Sequence, residues 1–440
     1  MLKEPHGLTC RDAPVWVDGR TLFINGQKTE LVLTDGDKQL VSMGAYLLIW
    51  PDKKYINTQD LTEYGGLENH TVSTGEVTVS LCRSSGEELG SYSIGEEAPV
   101  SPGAGSLWMD TADGEPVLKR YDGGSWLEVE NVCTKVAATG IGRGFAAGDG
   151  VTVQGCETEG VDGLYPLQAA DENWIAVPGM CRTVGSQTAA VTVERTIPDM
   201  DFVVEQGNRL WGCKYGIVNG EPVNEIYASK LGDFRNWNSF AGLSTDSYAA
   251  ARGSDGVFTG AAACLGGVIF FKEDCMERVY PSAAGAHQIV TLRCPGVKKG
   301  CGGSAALVDG TLLYVGLNGV YAFDGSMPAC VSLPLGNVRL ENAVAAGWNG
   351  QYWLAARDAA GKRHVLVYDT AHGLWHRQDD TDFMAFAVCD GALYGLERGG
   401  ALQDMTSGSG AQEETVRWMA ETGELGLSTP ESKYLTRLEL

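Results

Sequence analysis

Gln351-Tyr352-Trp353-Leu354-Ala355 is an apolar run that follows the turn Trp348-Asn349-Gly350 and precedes the turn Asp358-Ala359-Ala360-Gly361-Lys362. Ala343-Val344-Ala345-Ala346 lies upstream; His364-Val365-Leu366-Val367-Tyr368-Asp369 and Leu374-Trp375-His376-Arg377 lie downstream. Short apolar runs separated by Asn-Gly and Asp-rich turns read as strands joined by hairpins. Residues 341–379 therefore predict four consecutive strands.

The same phrase recurs as Gly207-Asn208-Arg209-Leu210-Trp211, Gly267-Val268-Ile269-Phe270-Phe271, Gly310-Thr311-Leu312-Leu313-Tyr314, Gly350-Gln351-Tyr352-Trp353-Leu354 and Gly391-Ala392-Leu393-Tyr394. The intervals between these glycines are 60, 43, 40 and 41 residues. A period of roughly 40 to 50 residues with about four short strands is that of a propeller blade. Glycine supplies the positive φ of a tight hairpin, and the next strand is apolar on both faces because blades stack on both sides. The pattern predicts an all-β fold, a β-propeller of about six blades starting near those glycines. Tyr352, Trp353, Leu354, Leu312, Leu313, Ile269 and Phe270 are expected between blades.

Two similar signals, Asp18-Gly19-Arg20-Thr21-Leu22-Phe23-Ile24 and Gly44-Ala45-Tyr46-Leu47-Leu48-Ile49-Trp50, predict a further blade near the N-terminus. Residues near 10–65 and 380–412 are expected to be ring neighbours. Between 70 and 195 the rhythm stops and other β patterns take over, among them Leu107-Trp108-Met109-Asp110-Thr111 and Asp149-Gly150-Val151-Thr152-Val153. An insertion with close termini disturbs its host little. The expected division is a first propeller part at 1–69, an inserted β-rich module at 70–195, remaining blades at 196–412 and a β segment at 413–440. That last segment reads as two strands, 414–423 and 433–440, expected to pack on the propeller or pair with another subunit.

Composition agrees with a folded, turn-rich chain. Hydrophobic residues make up 44% of it, as in globular proteins. The 59 glycines have no three-residue period, which excludes collagen. No apolar run approaches the roughly 18 residues of a membrane span, and the N-terminus lacks a secretory pattern, so synthesis in the cytoplasm and no membrane insertion are expected. The twelve cysteines include no Cys-x-x-Cys pair and read as reduced, mostly buried apolar side chains. With 56 acidic against 33 basic residues the formal charge is −23, so wrapping of nucleic acid by phosphate neutralisation is disfavoured. Basic residues cluster only in short pairs such as Lys53-Lys54 and Lys298-Lys299.

No phosphate loop, Gly-x-Ser-x-Gly elbow or His-Glu-x-x-His helix is present. Gly140-Ile141-Gly142-Arg143-Gly144 does not open a helix after a strand. His364, His372 and His376 fall on a strand, turn and strand, where that spacing does not converge on a metal. Gly253-Ser254-Asp255-Gly256 and Tyr121-Asp122-Gly123-Gly124-Ser125-Trp126 only echo the turn boxes of sialidases. The expectation is no enzyme, no catalytic residue, no metal and no cofactor. Trp108, Trp126 and Trp174 are the aromatics most open to a surface role.

Asn208-Arg209-Leu210-Trp211 followed by Asn224-Glu225-Ile226-Tyr227-Ala228-Ser229-Lys230-Leu231-Gly232-Asp233-Phe234-Arg235-Asn236-Trp237-Asn238 resembles a pattern of tailed-phage neck and tail β-propeller proteins. Val268-Ile269-Phe270-Phe271-Lys272-Glu273, Met276-Glu277-Arg278-Val279-Tyr280 and 364–376 resemble blades of the packaged-DNA stabilisation and tail-nozzle type. Within the insertion, 105–126 and 145–165 are similar to short β modules of phage tail and fibre proteins. The resemblance implies a structural virion protein, a neck or nozzle subunit forming a homo-oligomeric ring around the DNA exit channel. It also implies portal, adaptor or tail proteins as partners, and packaged DNA passing an acidic bore without specific binding. The alternative is a tail-tip or receptor-binding protein recognising host surface glycan; a third is a propeller glycoside hydrolase.

Overall fold

The computed structural model describes residues 1–112, 115–336 and 338–406. Apart from two 3-10 turns the regular structure there is β. No helix of the described residues is long and apolar enough to cross a membrane.

Seven antiparallel meanders form the propeller, at 5–32, 39–66, 202–251, 260–293, 306–330, 340–379 and 383–404. Six have four strands, and the seventh has three within the described residues. The first strands of successive meanders touch in a ring: Pro5–Cys10 with Gln39–Met43, then Phe202–Glu205, then Gly260–Cys264. The ring continues through the turn Gly302–Ser304 to Leu340–Trp348 and Phe383–Cys389, which returns to Pro5–Cys10. These strands surround the central channel. The count is seven where the spacing predicts about six, because 5–32 and 39–66 are two blades. Each blade also begins one strand before its glycine, which lies in or just after the first hairpin of the blade.

Those hairpins show why the glycines recur. Asn349 and Gly350 have φ of 50° and 71°, and Asp309–Gly310 and Asp390–Gly391 repeat the left-handed pair. Such turns match the twist of the strands they join, and Asn, Asp and Gly tolerate them best. The second strands of blades four to six are buried on both faces as expected, whereas Pro14–Asp18 and Ala392–Glu397 of blades one and seven mix buried and half-buried residues. Tyr352 and Leu354 pack toward the fifth blade while Trp353 and Ala355 pack toward the seventh. Val268 and Phe270 face the third blade, and Ile269 and Phe271 face the fifth.

The joint between the last and first blades differs from the others. Buried apolar clusters link blade one to two, two to three, three to four, four through six, and six to seven, but none spans seven to one among the described residues. A Cys10–Cys389 disulfide joins those two inner strands, and the Leu2 N–H donates to Gly400 O at 2.8 Å. The expectation that all cysteines are reduced is therefore corrected at this pair; the repeat pattern predicts that 10–65 and 380–412 are neighbours but not which side chains meet there. The other ten are free, eight of them buried.

Between the second and third blades, strands from Asn69–Val72 to Thr192–Arg195 form three further sheets. The outgoing strand Asn69–Val72 pairs directly with the returning Thr192–Arg195, which brings the two ends together. Thr74–Arg83 pairs with Val132–Thr139, and a four-stranded sheet of residues 92–128 is nested in that hairpin. The core of this region draws only on residues 77–193. The segment 413–440, expected to hold two strands, lies outside the described residues.

Candidate functional site

At the channel end where inner strands begin, loops from distant parts of the chain converge. His6 opens the first inner strand, with Nε2 2.9 Å from Asp35 Oδ1 and Nδ1 3.3 Å from Asp37 Oδ1. The loop carrying both aspartates is fixed from two directions. Lys38 N–H donates to His6 O at 2.8 Å, and Lys38 Nζ lies 2.9 Å from Asp52 Oδ1 with both side chains fully buried. Burial alone would raise the Asp52 carboxyl, but Lys38 and the Thr34 N–H and hydroxyl outweigh it and hold Asp52 below the usual range.

Glu4, His6 and Asp35 present one donor atom each within 4.8 Å of one another. One imidazole and two carboxylates suit a divalent transition metal. The contacts of His6 with Asp35 and Asp37 also stand without an ion.

Across the mouth, Arg357, Arg363 and Arg398 gather on one oxygen of Asp382. Arg357 Nη2 is 2.6 Å from Oδ2, Arg363 Nε 3.5 Å and Arg398 Nε 3.9 Å. Arg357 is the penultimate residue of the second strand of blade six, and Arg398 directly follows that of blade seven. Between the Asp37 side and the arginines is a cavity of about 500 Å³, whose lining includes Gly300, Gly303, Asn342 and Met384. None of these residues stood out in the sequence. The one legible signal is that Arg357 and Arg398 are 41 residues apart, the interval of the glycines Gly350 and Gly391.

The residues singled out in the sequence lie elsewhere. His364 Nε2 contacts Asp358 Oδ2 and His372 Nδ1 contacts Asp369 Oδ2, each at 2.9 Å, while His376 is exposed; the three do not come together. The hydrogen bond from His364 holds the Asp358 carboxyl down, and that from His372 does the same for Asp369. Gly142 is needed for packing, since a Cβ there would lie 2.0 Å from Asp171 O. Asp122 Oδ1 accepts the Gly124 and Ser125 N–H groups, an ordinary turn. Trp108 is buried against Trp126, which corrects the surface role expected of it; Trp126 and Trp174 are half-buried.

Within 208–238, Arg209, Phe234, Asn236 and Trp237 are buried and act as a clamp. Arg209 Nη1 donates to Ser229 O at 2.7 Å and Asp246 O at 2.6 Å, and its Nη2 donates to Ser244 O at 2.8 Å. Trp237 Nε1 donates to Phe234 O at 2.9 Å. Phe234 packs on Tyr46 and Tyr55 of the second blade, while Asn236 Oδ1 accepts the Gly150 N–H of the insertion at 2.5 Å. Two blades and the inserted region meet on this one segment.

No family model and no curated protein matches the sequence. Solved structures of similar fold include Pyrococcus horikoshii acylaminoacyl peptidase, at 8% identity and TM-score 0.35, covering 92% of this chain and 51% of that one. Puromycin hydrolase is 12% identical with TM-score 0.29, covering 90% and 58%. Phage phi92 endosialidase is 10% identical with TM-score 0.26, covering 87% and 57%. The chain thus spans a little over half the length of each. The expectation that this chain is not an enzyme is corrected by these likenesses, since a peptidase and a hydrolase stand among them. At such identities the likeness concerns the fold alone and assigns no reaction.

Proposed function

We propose that this chain is a structural subunit of a tailed-phage particle, placed in the neck or tail and assembled as a ring around the DNA exit channel. The observation that supports this most is the clamp at 208–238. The segment resembling neck and nozzle proteins is spent on buried contacts that tie blade two, blade three and the insertion together. A pattern kept for holding parts in place is what a scaffold subunit requires.

The net charge of −23 is in keeping with a wall that DNA slides past, because affinity for duplex needs clustered Lys and Arg to release counterions. Electron microscopy of intact particles with the chain labelled tests the reading. Density on the portal and tail axis, in copies matching its symmetry, is the expected result. Absence from particles would end the proposal, and a position at the tail tip as a monomer or trimer would favour a receptor-binding protein. A potential map of the assembled ring would add the sign of the bore, expected to be acidic.

A further inference from the structure

The cavity at the channel mouth is lined by two chemically different sets of groups. Beside it three guanidinium groups share a single carboxylate, Asp382, and the bond from Arg357 is the one side-chain hydrogen bond they make among the described residues. Three like charges on one counter-charge leave positive charge in excess and N–H donors open to solvent. Both suit an oxyanion, which guanidinium binds with paired, charge-assisted hydrogen bonds. Arg357 and Arg398 both line the cavity.

Asp37 and Asn342 also line the cavity, Asn342 on the strand that pairs with the one carrying Arg357. One Asp37 oxygen is engaged with His6, while among the described residues its other oxygen and the Asn342 amide make no side-chain hydrogen bond. Those groups take hydroxyl hydrogens or donate to hydroxyl oxygens. Asn342 sits at φ 49°, a left-handed conformation, and Gly303 is kept small because a Cβ there would come 3.1 Å from Val344 Cγ1. The volume, about 500 Å³, is in the range of small-molecule sites.

We propose that this cavity binds a small hydroxylated acid, a sugar bearing a carboxylate or a phosphate group. Its oxyanion lies against Arg357 and Arg398, and its hydroxyls face Asp37 and Asn342. A polyanion such as duplex DNA does not fit the same description, because a chain of charge −23 repels it and two arginines in a concavity cannot follow a backbone. The proposal stands apart from the neck assignment and does not depend on it.

Calorimetric titration of the full chain with glucuronate, glucose 6-phosphate, glucose and inorganic phosphate tests it. At least one of the two acids should bind saturably, and more tightly than glucose; which of them binds tells carboxylate from phosphate. Arg398→Gln, at a half-exposed position, should weaken that binding by roughly tenfold or more, the loss of one charge-assisted bond. Asp37→Ala should weaken the sugar acid relative to inorganic phosphate, which separates recognition of hydroxyls from bare attraction of an anion. The proposal fails if neither acid saturates by about 50 mM, or if glucose binds as well as the acids. It also fails if Arg398→Gln, melting like the parent, leaves affinity unchanged, or if Asp37→Ala affects both ligands alike.

Discussion

The ring and the inserted region are both β, yet they solve burial in opposite ways. In the ring the second strand of each blade lies between two sheets, so Gly267–Phe271 is buried at every position. In the insertion Thr74–Arg83 alternates buried and exposed side chains along much of its length, and Thr192–Arg195 does so throughout. Those strands cover a single core from one side. A strand with two apolar neighbours must be apolar throughout, and one with a single neighbour needs only every second residue. The ring therefore depends on every blade, whereas the insertion carries its own core and closes its own ends.

The largest test of this contrast is Trp353→Ala. That residue packs toward blade seven, and its loss should cost about 3–5 kcal/mol, read as one cooperative shift of the whole ring in chemical denaturation. A loss under about 1 kcal/mol would mean that the strand is an exposed edge. Ile175→Ala in the insertion core should instead lower protection from proteolysis within 69–195 and leave the ring transition in place.

The joint between the regions comes next. Arg195 and Asp149 form a buried ion pair, Arg195 Nε donates to Leu67 O at 3.0 Å, and Lys53 Nζ reaches both Glu68 and Asp199. Arg195→Met strands the Asp149 charge and should cost about 3–5 kcal/mol. Converting Asp149 to Leu as well should recover much of that. An unchanged single variant would show that water reaches the pair.

The seam of the ring is the third test. Reduction, or Cys389→Ser, should lower ring stability by about 2–4 kcal/mol, since among the described residues no apolar cluster spans blades seven and one. Protection from proteolysis within the insertion should not change. Equal melting curves with and without reductant would show that the remaining contacts close the ring unaided.

The smallest effect is expected at Leu265. It occupies a hairpin position at φ 50° where blades five, six and seven place Asp309, Asn349 and Asp390, and its side chain is exposed. Leu265→Asn should stabilise by about 0.5–1 kcal/mol. A destabilised variant would show that the contact of Leu265 with blade five matters more than the turn.

Much of the ring was legible because its signals are local. The four strands of 341–379 and the burial of Tyr352, Trp353 and Leu354 follow from apolar runs cut by Asn-Gly and Asp-rich turns. The blade count fell one short because 5–32 contributes only short runs, broken by Pro14 and by the turns at Gly19 and Gly26, which resemble parts of one repeat. The site was harder to read. Glu4, His6, Asp35, Asp37, Arg357, Arg398 and Asp382 are ordinary surface residues in sequence, and the histidines that stand close in sequence do not meet in space.

The sequence by itself determined the all-β repeat, its hairpins and the break in rhythm after residue 69, because strand period and turn chemistry are properties of neighbouring residues. Only the tertiary structure decided that Cys10 meets Cys389, that 208–238 seats the insertion, and that three arginines share Asp382. Ring closure brings blade one and blade seven to one mouth, and no local pattern encodes which loops will face each other there.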